Sequence, residues 1–557
     1  MDNSIKKLLR GRIEEVAKRL FGPPLPFFTL ERAKKKEWGD LSTNLPFLLA
    51  QQKGLSPRII GEDLVSRLAQ DTEDKLLSRV EFAPPGFINL FLSTSYLQES
   101  LKKILKEQDN FTRFSSGIGK TVQVEFVSAN PTGPLHVGHG RAAALGDVLA
   151  NNLSKLGFAV QREYYLNDVG GQINRLVKSL WVRIRQLEGD KIELPEDGYK
   201  GEYLIDIAKS YIEKMGSVRE KSREQVYPYL LEFVVKEILT DIKNDLDSFG
   251  VNYDNWFFES KLYEEGKLDE VLSFLGGKGL IYEKDGALWF KTSILIEGEQ
   301  DRVLRRKNGK YTYFASDIAY HLNKFKRGFH KVVDIWGADH IGYVPRMIAA
   351  ARATGYPEEA LKIIIYQLVT LKRGDKRVSA STRTGEFISF KELIQEVGRD
   401  VARFFFLSRS ADSHLDFDLE LAKRQTPENP VFYVQYAHAR ISSILRKAEE
   451  KGFFLSGKSQ PINFNIGLLN SPEERELMLL IALLPEQVKE AGERLEPHHL
   501  TTYATELASA FHYFYTRHRV ITEDEEITRA RLFLVQAVKI AIKDILDILG
   551  ISAPEKM

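Results

Sequence analysis

The sequence predicts an α/β protein built around a doubly wound parallel sheet, with a small α+β domain before the sheet and an α-helical bundle after it. In the middle of the chain, short apolar segments alternate with helix-periodic ones, which is the pattern of βαβ units. Before about residue 115, strands and helices mix without that alternation. From Lys391 onward strand signals vanish and only helix-periodic segments remain.

Length and composition fit a folded protein of several domains. The chain has 557 residues, 43% of them hydrophobic and 28% charged, and domains of roughly 100–200 residues give about three to four. We place an α+β domain at 1–115 and the sheet domain at 116–390, with a largely helical insertion at about 185–275. A helical connecting segment at 391–429 then leads to a helical bundle at 430–557.

Composition also excludes several classes of site. The chain has no cysteine, which rules out disulfides, thiolate zinc sites, iron–sulfur clusters and a cysteine nucleophile. Its most conspicuous apolar run, at 477–484, is far shorter than the ~20 residues of a membrane span, so we expect a cytoplasmic protein without a membrane partner. The formal net charge is only +2, and a polyanion would therefore have to be met by local basic patches.

The first domain is predicted from helical and extended patterns in turn. Apolar positions between Ser4 and Leu20 recur at helical spacing, and that helix ends before Gly22. Two strands, at 80–82 and 87–92, flank a proline-rich turn, and a helix follows at 97–105.

The sheet domain is predicted to alternate strands with helices, and residues 167–168 are expected to cap the second helix. The strands are placed at 121–127, 159–166, 287–290, 311–314, 332–336 and 363–371, and the first two helices at 139–156 and 171–184. The last third of the chain is predicted to form helices at 391–397, 401–407, 430–447, 473–484, 500–515 and 529–549.

The loop after the first strand of the sheet domain carries the clearest chemical signal. Prolines and glycines force turns there, Gly138 and Gly140 remove side chains where a flat ring or a phosphate could approach, and a helix then begins. A helix N-terminus favours anions, and His136 and His139 lie on one side of its first turn. Two incidental histidines, or a two-histidine metal site, are the alternatives. The position after a parallel strand favours nucleotide phosphates, although no Walker loop is present here.

This loop resembles a known signature. The string from Glu125 to His139 is similar to the HIGH segment of class I aminoacyl-tRNA synthetases, in the form found in the arginyl-tRNA synthetase family. The resemblance covers essentially the whole chain, and it implies a Rossmann-like catalytic domain. The signature itself comprises Ala129, Asn130, Pro131, Thr132, Gly133, Pro134, Leu135, His136, Val137, Gly138 and His139.

The resemblance implies a reaction with ATP, L-arginine and tRNA(Arg). It assigns stabilisation of the ATP phosphates to His136 and His139, and ATP binding also to Gly138 and Asp339. Arginyl-adenylate would form with Mg²⁺ accompanying ATP, and arginine would then pass to the 3′-terminal adenosine of the tRNA. We expect no protein-bound zinc or other metal, and a monomer.

A pocket selective for arginine needs fixed carboxylates and an aromatic or amide partner, because the guanidinium is planar and permanently charged. By resemblance, Glu125, Tyr313 and Asp317 contact the guanidinium, and Asn130 holds the α-amino or carboxylate group of arginine. Two alternatives stay open at this point. Asp317 could be a first-turn acid that complements a helix dipole, and Glu125 could face solvent on an edge strand.

The second signature of the class is a lysine-rich loop, and here the chain departs from the pattern. Ser379 and Thr382 stand where the two signature lysines are expected, within residues 372–385. Lys376, Arg377 and Arg383 are the cations that could act on the pyrophosphate in their place. The alternative is an exposed polar loop without a role in catalysis.

The helical third of the chain resembles the anticodon-binding domain of the same family. Tyr433, Tyr436 and Arg440 are assigned to tRNA, since aromatic and basic side chains together can stack unpaired bases. An aromatic stripe on a helix is also the pattern of an ordinary core. The first domain, with the basic run 34–36, is expected to touch the tRNA elbow.

Two rival functions can be stated from the same residues. A non-catalytic RNA-binding paralogue is supported only by the altered lysine loop, and the retained His136, His139, Glu125 and Asp317 oppose it. Another nucleotidylyltransferase with paired histidines, acting on a small molecule, would leave the helical third unexplained.

Overall fold

A computed structural model of the protein describes residues 4–33, 35–70, 76–374, 376–378, 388–453 and 465–557. The predicted fold class is confirmed: a five-stranded parallel sheet lies between an N-terminal α+β domain and C-terminal helices. No helix in these ranges is long and apolar enough to cross a membrane.

The N-terminal domain is a four-stranded antiparallel sheet covered by helices. Its sheet order is β1-β2-β4-β3. Its elements are α1 (Ile5–Phe21), β1 (Leu30–Arg32), β2 (Leu41–Thr43), α2 (Leu45–Lys53), α3 (Pro57–Gln70), β3 (Leu77–Ala83), β4 (Phe87–Leu92) and α4 (Thr94–Glu107). The predicted first helix, the two strands and the last helix are confirmed. Strands β1 and β2 escaped prediction because three residues are too few to show alternation.

The central domain forms the parallel sheet and carries several helices between its strands. Its first half contains β5 (Thr121–Glu125), α5 (Val137–Lys155), β6 (Ala159–Leu166), α6 (Gly171–Leu187), α7 (Tyr203–Met215), α8 (Arg223–Ser248), β7 (Asn255–Phe258), α9 (Ser260–Glu264) and α10 (Lys267–Gly277). Its second half contains β8 (Ile281–Lys284), β9 (Ala287–Phe290), β10 (Arg302–Arg305), α11 (Tyr313–Lys326), β11 (Lys331–Gly337), α12 (Val344–Thr354), β12 (Leu361–Tyr366), β13 (Val369–Arg373) and β14 (Lys376–Val378).

The parallel sheet has the order β12-β11-β5-β6-β7. The chain first builds outward from β5 through β6 to β7 and then returns to the other side of β5 with β11 and β12. The switch point therefore lies between β5 and β11. In open α/β sheets, ligands bind beyond the carboxyl ends of the strands at that point.

Two predicted strands of this domain differ from the structure: 311–314 is wrong, and 363–371 is divided between β12 and β13, which lie in different sheets. Residues 311–314 do not form a strand, because Thr312 takes the N-cap position and α11 begins at Tyr313. Strand β9 was predicted correctly, but it pairs with β8 and β10 in a separate antiparallel sheet. The expected helical insertion contains β7, the edge strand of the parallel sheet. With four residues, β7 shows no periodicity that a sequence could reveal.

The last third of the chain is mainly helical, as predicted. Its elements are α13 (Phe390–Val397), α14 (Arg399–Leu407), β15 (Leu415–Asp418), α15 (Leu419–Lys423), α16 (Pro430–Glu450), α17 (Pro472–Arg494), α18 (His498–Arg517) and α19 (Glu525–Leu549). Strand β15, which pairs in parallel with β13, contradicts the expectation that strands end before residue 391. Helix α17 also continues through Pro485, beyond its predicted end.

Helix α5 is buried along most of its length and is held from both sides. Arg141 is fully buried and donates to the carbonyl oxygens of Gln367 at 2.8 Å, Ser413 at 2.9 Å and Ser410 at 2.8 Å. A Cβ at Gly140 would lie 2.5 Å from the Phe390 ring. Gly140 therefore permits core packing, and the sequence-based interpretation that it makes room for a ligand is wrong.

A second buried arginine joins α5 to the C-terminal helices. The Arg403 guanidinium donates to the Asp147 carboxylate of α5 at 2.5 Å and to the Leu549 carbonyl at the end of α19 at 2.9 Å. It also donates to the Phe249 carbonyl at 3.2 Å. The orientation of α5, and so of its N-terminus, is fixed by contacts that reach the last helix of the chain.

Candidate active site

The backbone is strained where β5 ends and the loop toward α5 begins. Val127 has φ +67° and Ser128 has φ +40°, and the Ser128 N–H donates to the Phe126 carbonyl at 2.9 Å. This is a γ-turn centred on a β-branched residue, which costs energy. The turn places the Ser128 hydroxyl 2.8 Å from the Glu125 carboxylate, to which it donates.

His136 and His139 form a reciprocal capping box at the start of α5. The His139 N–H donates to Nδ1 of His136 at 3.3 Å, and the His136 N–H donates to Nδ1 of His139 at 3.2 Å. Their rings stack with centroids 3.5 Å apart. Because both Nδ1 atoms accept, each neutral imidazole carries its proton on Nε2. The backbone thus fixes two Nε2–H donors beside a helix N-terminus.

Burial keeps these imidazoles neutral. Desolvation lowers the pKa of His136 from 6.5, and it lowers the pKa of His139 further. A backbone hydrogen bond and the charge of Asp339 raise the pKa of His136 against this effect. Two neutral donors can approach phosphate oxygens without an imidazolium being desolvated.

This arrangement predicts a pH dependence of stability. Since the folded-state pKa values lie below 6.5, the unfolded chain binds more protons as the pH falls below about 6.5, and the free energy of unfolding decreases there. We expect a variant with His136→Asn and His139→Asn to lose less stability than the wild type between about pH 7 and pH 5.5. Urea unfolding of both proteins at pH 7 and at pH 5.5 measures this loss of stability. Equal losses would contradict the prediction, and the other buried histidines contribute equally to both proteins.

The segment that follows the lysine-rich loop is bound to the histidine segment. The Phe390 N–H donates to the Leu135 carbonyl at 3.0 Å, and His136 pairs with Ser389 in an antiparallel bridge. Lys376 and Arg377 lie on β14, which is hydrogen-bonded to β13, and both are exposed. Ser379, Thr382 and Arg383 lie outside the described residues.

Tyr313 and Asp317 lie in the first two turns of α11, and Tyr313 faces the residue that precedes α6. Tyr313 is 59% exposed, and its hydroxyl lies 3.4 Å from the position that a Cβ at Gly170 would take. Asp317 accepts a hydrogen bond from the Tyr343 hydroxyl, and burial raises its pKa. Since α11 begins at Tyr313, Asp317 lies in the second turn, which disfavours a role in complementing the helix dipole.

Glu259, which the sequence did not single out, lies beside Asp317. It follows β7 directly and is 1% exposed, and its Oε1 lacks a hydrogen-bond partner among the described residues. Its pKa is raised to about 7, chiefly by burial and also by the charges of Asp317 and Asp168, while hydrogen bonds from the Ser316 and Tyr165 hydroxyls lower it. A buried acid with an unsatisfied oxygen is what a cationic ligand requires. The only signal for it in the sequence is an acid after three aromatic residues.

Asp168 does not cap α6, contrary to the prediction. The N-cap residue of α6 is Gly170, and the Asp168 carboxylate accepts from the Ser260 N–H at 2.9 Å. This bond fixes the turn that follows Glu259.

Glu125 is buried in a network of charges. Strand β5 lies between β11 and β6, so the alternative of a solvent-facing edge strand is wrong. The Lys324 ammonium donates to Glu125 and, at 2.8 Å, to Asp334, which also contacts Nε2 of His321 at 2.7 Å. Burial alone would lower the pKa of Lys324, but Asp334 and Glu125 outweigh it and keep the ammonium charged.

The remaining predicted site residues are more open. Asn130 is exposed and donates to the Gln172 side chain at 2.8 Å. Asp339 lies in the 3₁₀ helix Ala338–Tyr343 after β11, and its side chain is 81% exposed. Among the described residues, no group of three or more histidine, aspartate or glutamate side chains could hold a metal ion.

The candidate tRNA residues form a half-buried aromatic surface on α16 and α18. The Arg440 guanidinium lies 4.4 Å from the Tyr436 ring centroid and 5.0 Å from that of Tyr515. Tyr433 packs against His512, with ring centroids 4.6 Å apart. The surface is partly accessible, unlike Phe511 and Phe514 of α18, which are fully buried. In the basic run, Lys35 lies over Trp38, Lys36 pairs with Glu476, and residue 34 lies outside the described residues.

Comparison with known proteins identifies the family. The arginyl tRNA synthetase N terminal domain matches residues 3–92, the catalytic domain of class I (R) tRNA synthetases matches residues 100–405, and the DALR anticodon binding domain matches residues 434–557. The arginine–tRNA ligase of Geobacter sp. (strain M21) is 48% identical, over 96% of this chain and 95% of that protein. The one from Thermotoga maritima is 44% identical, over 99% of both chains.

A solved structure agrees with these matches. The arginyl-tRNA synthetase of Thermus thermophilus superposes with a TM-score of 0.75 and 25% identity, over 99% of this chain and 100% of that chain. Together with the domain matches and the level of identity, this shows that the chain belongs to the arginyl-tRNA synthetase family.

Proposed function

We propose that this chain forms arginyl-adenylate from ATP and L-arginine at the carboxyl end of the parallel sheet and transfers arginine to the 3′-terminal adenosine of tRNA(Arg). The proposal depends above all on one observation: the half-buried Asp317 and the buried, incompletely hydrogen-bonded Glu259 form an acidic pair in the domain that also carries the histidine-capped helix. An acidic pocket suits a guanidinium, and the helix N-terminus suits phosphates.

The histidine pair would act on ATP. The two Nε2–H groups and the N-terminus of α5 can donate to phosphate oxygens whose charge changes as the arginine carboxylate attacks the α-phosphate. Gly138 keeps this approach open, because a Cβ there would lie 3.0 Å from the His136 ring. Mg²⁺ would enter with ATP. The exposed Asp339, whose charge acts on His136, is a carboxylate that could bind it.

The lysine-rich loop would supply positive charge to the pyrophosphate. Lys376 and Arg377 form no ion pair with a described carboxylate, whereas Lys372 and Arg373 are tied to Asp416 and Glu396. Arg383 is the third candidate. The pairing of Ser389 with His136 supports the proposal, because it joins the far end of the loop to the phosphate site.

The acidic pair and Tyr313 would hold the guanidinium, and Asn130 would hold the α-amino or carboxylate group. Glu125 is assigned to the same pocket, where Lys324 and Ser128 fix its carboxylate. A lysine side chain would leave part of this acidic surface unpaired, and a neutral side chain would leave all of it unpaired.

The rest of the proposal concerns the partner and the state of the protein. The half-buried aromatic surface with Tyr433, Tyr436 and Arg440 would bind the anticodon arm, and the first domain would contact the tRNA elbow. We propose the domain boundaries stated above, a monomer and a cytoplasmic location.

Aminoacylation of tRNA(Arg) with each of the twenty amino acids tests the function. We expect incorporation of arginine alone, and equal incorporation of lysine would contradict the proposed pocket. ATP–pyrophosphate exchange with cognate tRNA present separates an active enzyme from a non-catalytic RNA-binding paralogue, since the paralogue would show no exchange.

A further inference from the structure

A strongly basic turn joins β10 to α11. Residues 302–310 contain five cationic and no acidic side chains. Arg305, Arg306, Lys307 and Lys310 are all exposed, and none of them forms an ion pair with a described carboxylate. Four unneutralised cations within six positions repel one another in the free protein, so their clustering indicates an anionic partner.

The turn is rigid. The Gly309 N–H donates to the Arg306 carbonyl at 2.9 Å, and the Arg306 N–H donates to the Lys310 carbonyl at 2.8 Å. Gly309 adopts φ +78°, as this type of hairpin turn requires. A rigid turn presents its side chains to a partner without the ordering cost of a flexible loop.

The acids near the turn do not neutralise it. Glu299 is engaged by Arg302 at 3.2 Å and by Arg346 at 3.8 Å, and Asp301 accepts from Ser293 at 2.7 Å and from Tyr282 at 3.0 Å. Glu283 and Asp285 are exposed on the neighbouring β8–β9 turn, which packs near Lys307, but neither forms an ion pair with it.

The turn lies near the proposed arginine pocket, which indicates which part of a bound tRNA it could contact. The Thr312 N–H donates to the Leu304 carbonyl at 2.9 Å, and the chain then enters α11 at Tyr313. Tyr313 is the fifth residue after Asn308, so the tip lies within about 18 Å of that proposed pocket residue. The candidate anticodon surface belongs to a different domain, on α16 and α18.

We infer that the turn formed by residues 305–310 binds the phosphate backbone of the tRNA acceptor arm and guides its 3′ end to the arginine pocket. This inference rests on the proposed function, since it uses tRNA as the substrate and Tyr313 as part of the pocket. The contact is electrostatic and independent of base sequence, because arginine and lysine on a turn meet phosphates without reading base edges.

The KM for tRNA of a full-length variant without the charges of the turn tests the inference. The variant carries Arg305→Gln, Arg306→Gln, Lys307→Gln and Lys310→Gln, and its matched control keeps the charge with Arg305→Lys, Arg306→Lys, Lys307→Arg and Lys310→Arg. For the neutral variant we expect the KM for tRNA to rise at least about tenfold. The dependence of log KM on log salt should become shallower by about 3. The KM values for arginine and ATP should not change, and the control should behave as the wild type.

Two further measurements identify the RNA segment. An acceptor-arm minihelix should show the same loss as the full tRNA, and a photocrosslinker at Asn308 should label acceptor-arm nucleotides. An unchanged KM for tRNA, a loss seen only with full tRNA, or a crosslink to the anticodon arm would overturn the inference. Asp317→Asn, assayed in parallel, should raise only the KM for arginine. An unchanged KM for arginine in Asp317→Asn would reject the proposed pocket, and the crosslink would still show which part of the tRNA contacts the turn.

Discussion

Asp317→Asn should reduce kcat/KM for arginine by about 10²–10³-fold. Breaking a buried ion pair by removing one partner costs about 3–5 kcal/mol, and here the remaining partner would be the guanidinium of the substrate. Asparagine keeps the size of the side chain and an oxygen that can accept from the Tyr343 hydroxyl. The KM for ATP should stay close to the wild-type value, since the nucleotide is assigned to the histidine segment and not to the acidic pair. Steady-state aminoacylation with varied arginine and varied ATP measures both.

The matched control for this variant is Asp206→Asn. Asp206 lies in the first turn of α7 and is exposed, so its replacement removes a charge that complements a helix dipole but touches no proposed pocket. If Asp317 served only its helix, both variants would lose a little stability and neither would lose activity. The preference for arginine over citrulline, its neutral analogue, gives a second readout. The preference for arginine should be smaller in Asp317→Asn. In the wild type a neutral ligand leaves the Asp317 charge without a partner, whereas the neutral asparagine carries no charge that needs one.

The local structure around the two histidines could be predicted from the sequence because its parts are contiguous. A strand, a turn-rich loop and a helix opened by His136 and His139 occupy neighbouring positions, and the structure places the two imidazoles in one capping box. The tautomer they adopt could not be predicted, since it depends on which backbone N–H group each Nδ1 accepts from. Gly140 was misread for a similar reason: its neighbour, the Phe390 ring, comes from a segment 250 residues away.

The acidic side of the site was harder to predict because long-range contacts define it. Glu259 follows a four-residue strand inside an expected helical insertion, and only the three-dimensional structure shows that it lies beside Asp317. Glu125 was assigned by resemblance, but nothing in the sequence singles out its partner Lys324, which lies on α11. The alternating aromatic residues at 311–314 mimic a strand, and tertiary context makes them the start of a helix instead.

His136→Asn should slow adenylate formation by about 10²–10³-fold while leaving the KM for arginine near the wild-type value. Removing one preorganised donor that stabilises developing charge has an effect of this size in other active sites. Asparagine is a favourable N-cap residue, so this variant should keep the start of α5, whereas His136→Ala loses the cap and about 1 kcal/mol of stability as well. Single-turnover formation of arginyl-adenylate with cognate tRNA present, together with thermal unfolding, separates the two effects.

Ser222→Ala provides the control for the cap alone. Ser222 forms the same kind of capping box, with Gln225, at the start of α8, and its loss should lower the melting temperature without changing the rate of adenylate formation. A rate in His136→Asn equal to that of the wild type would show that the imidazole only shapes the helix. A rate that falls in parallel in His136→Asn and His136→Ala, with stability reduced only in the latter, would place the effect on the Nε2–H donor. The proposed chemical role of the histidine would then rest on its Nε2 proton, which the capping box leaves free because Nδ1 accepts from the backbone.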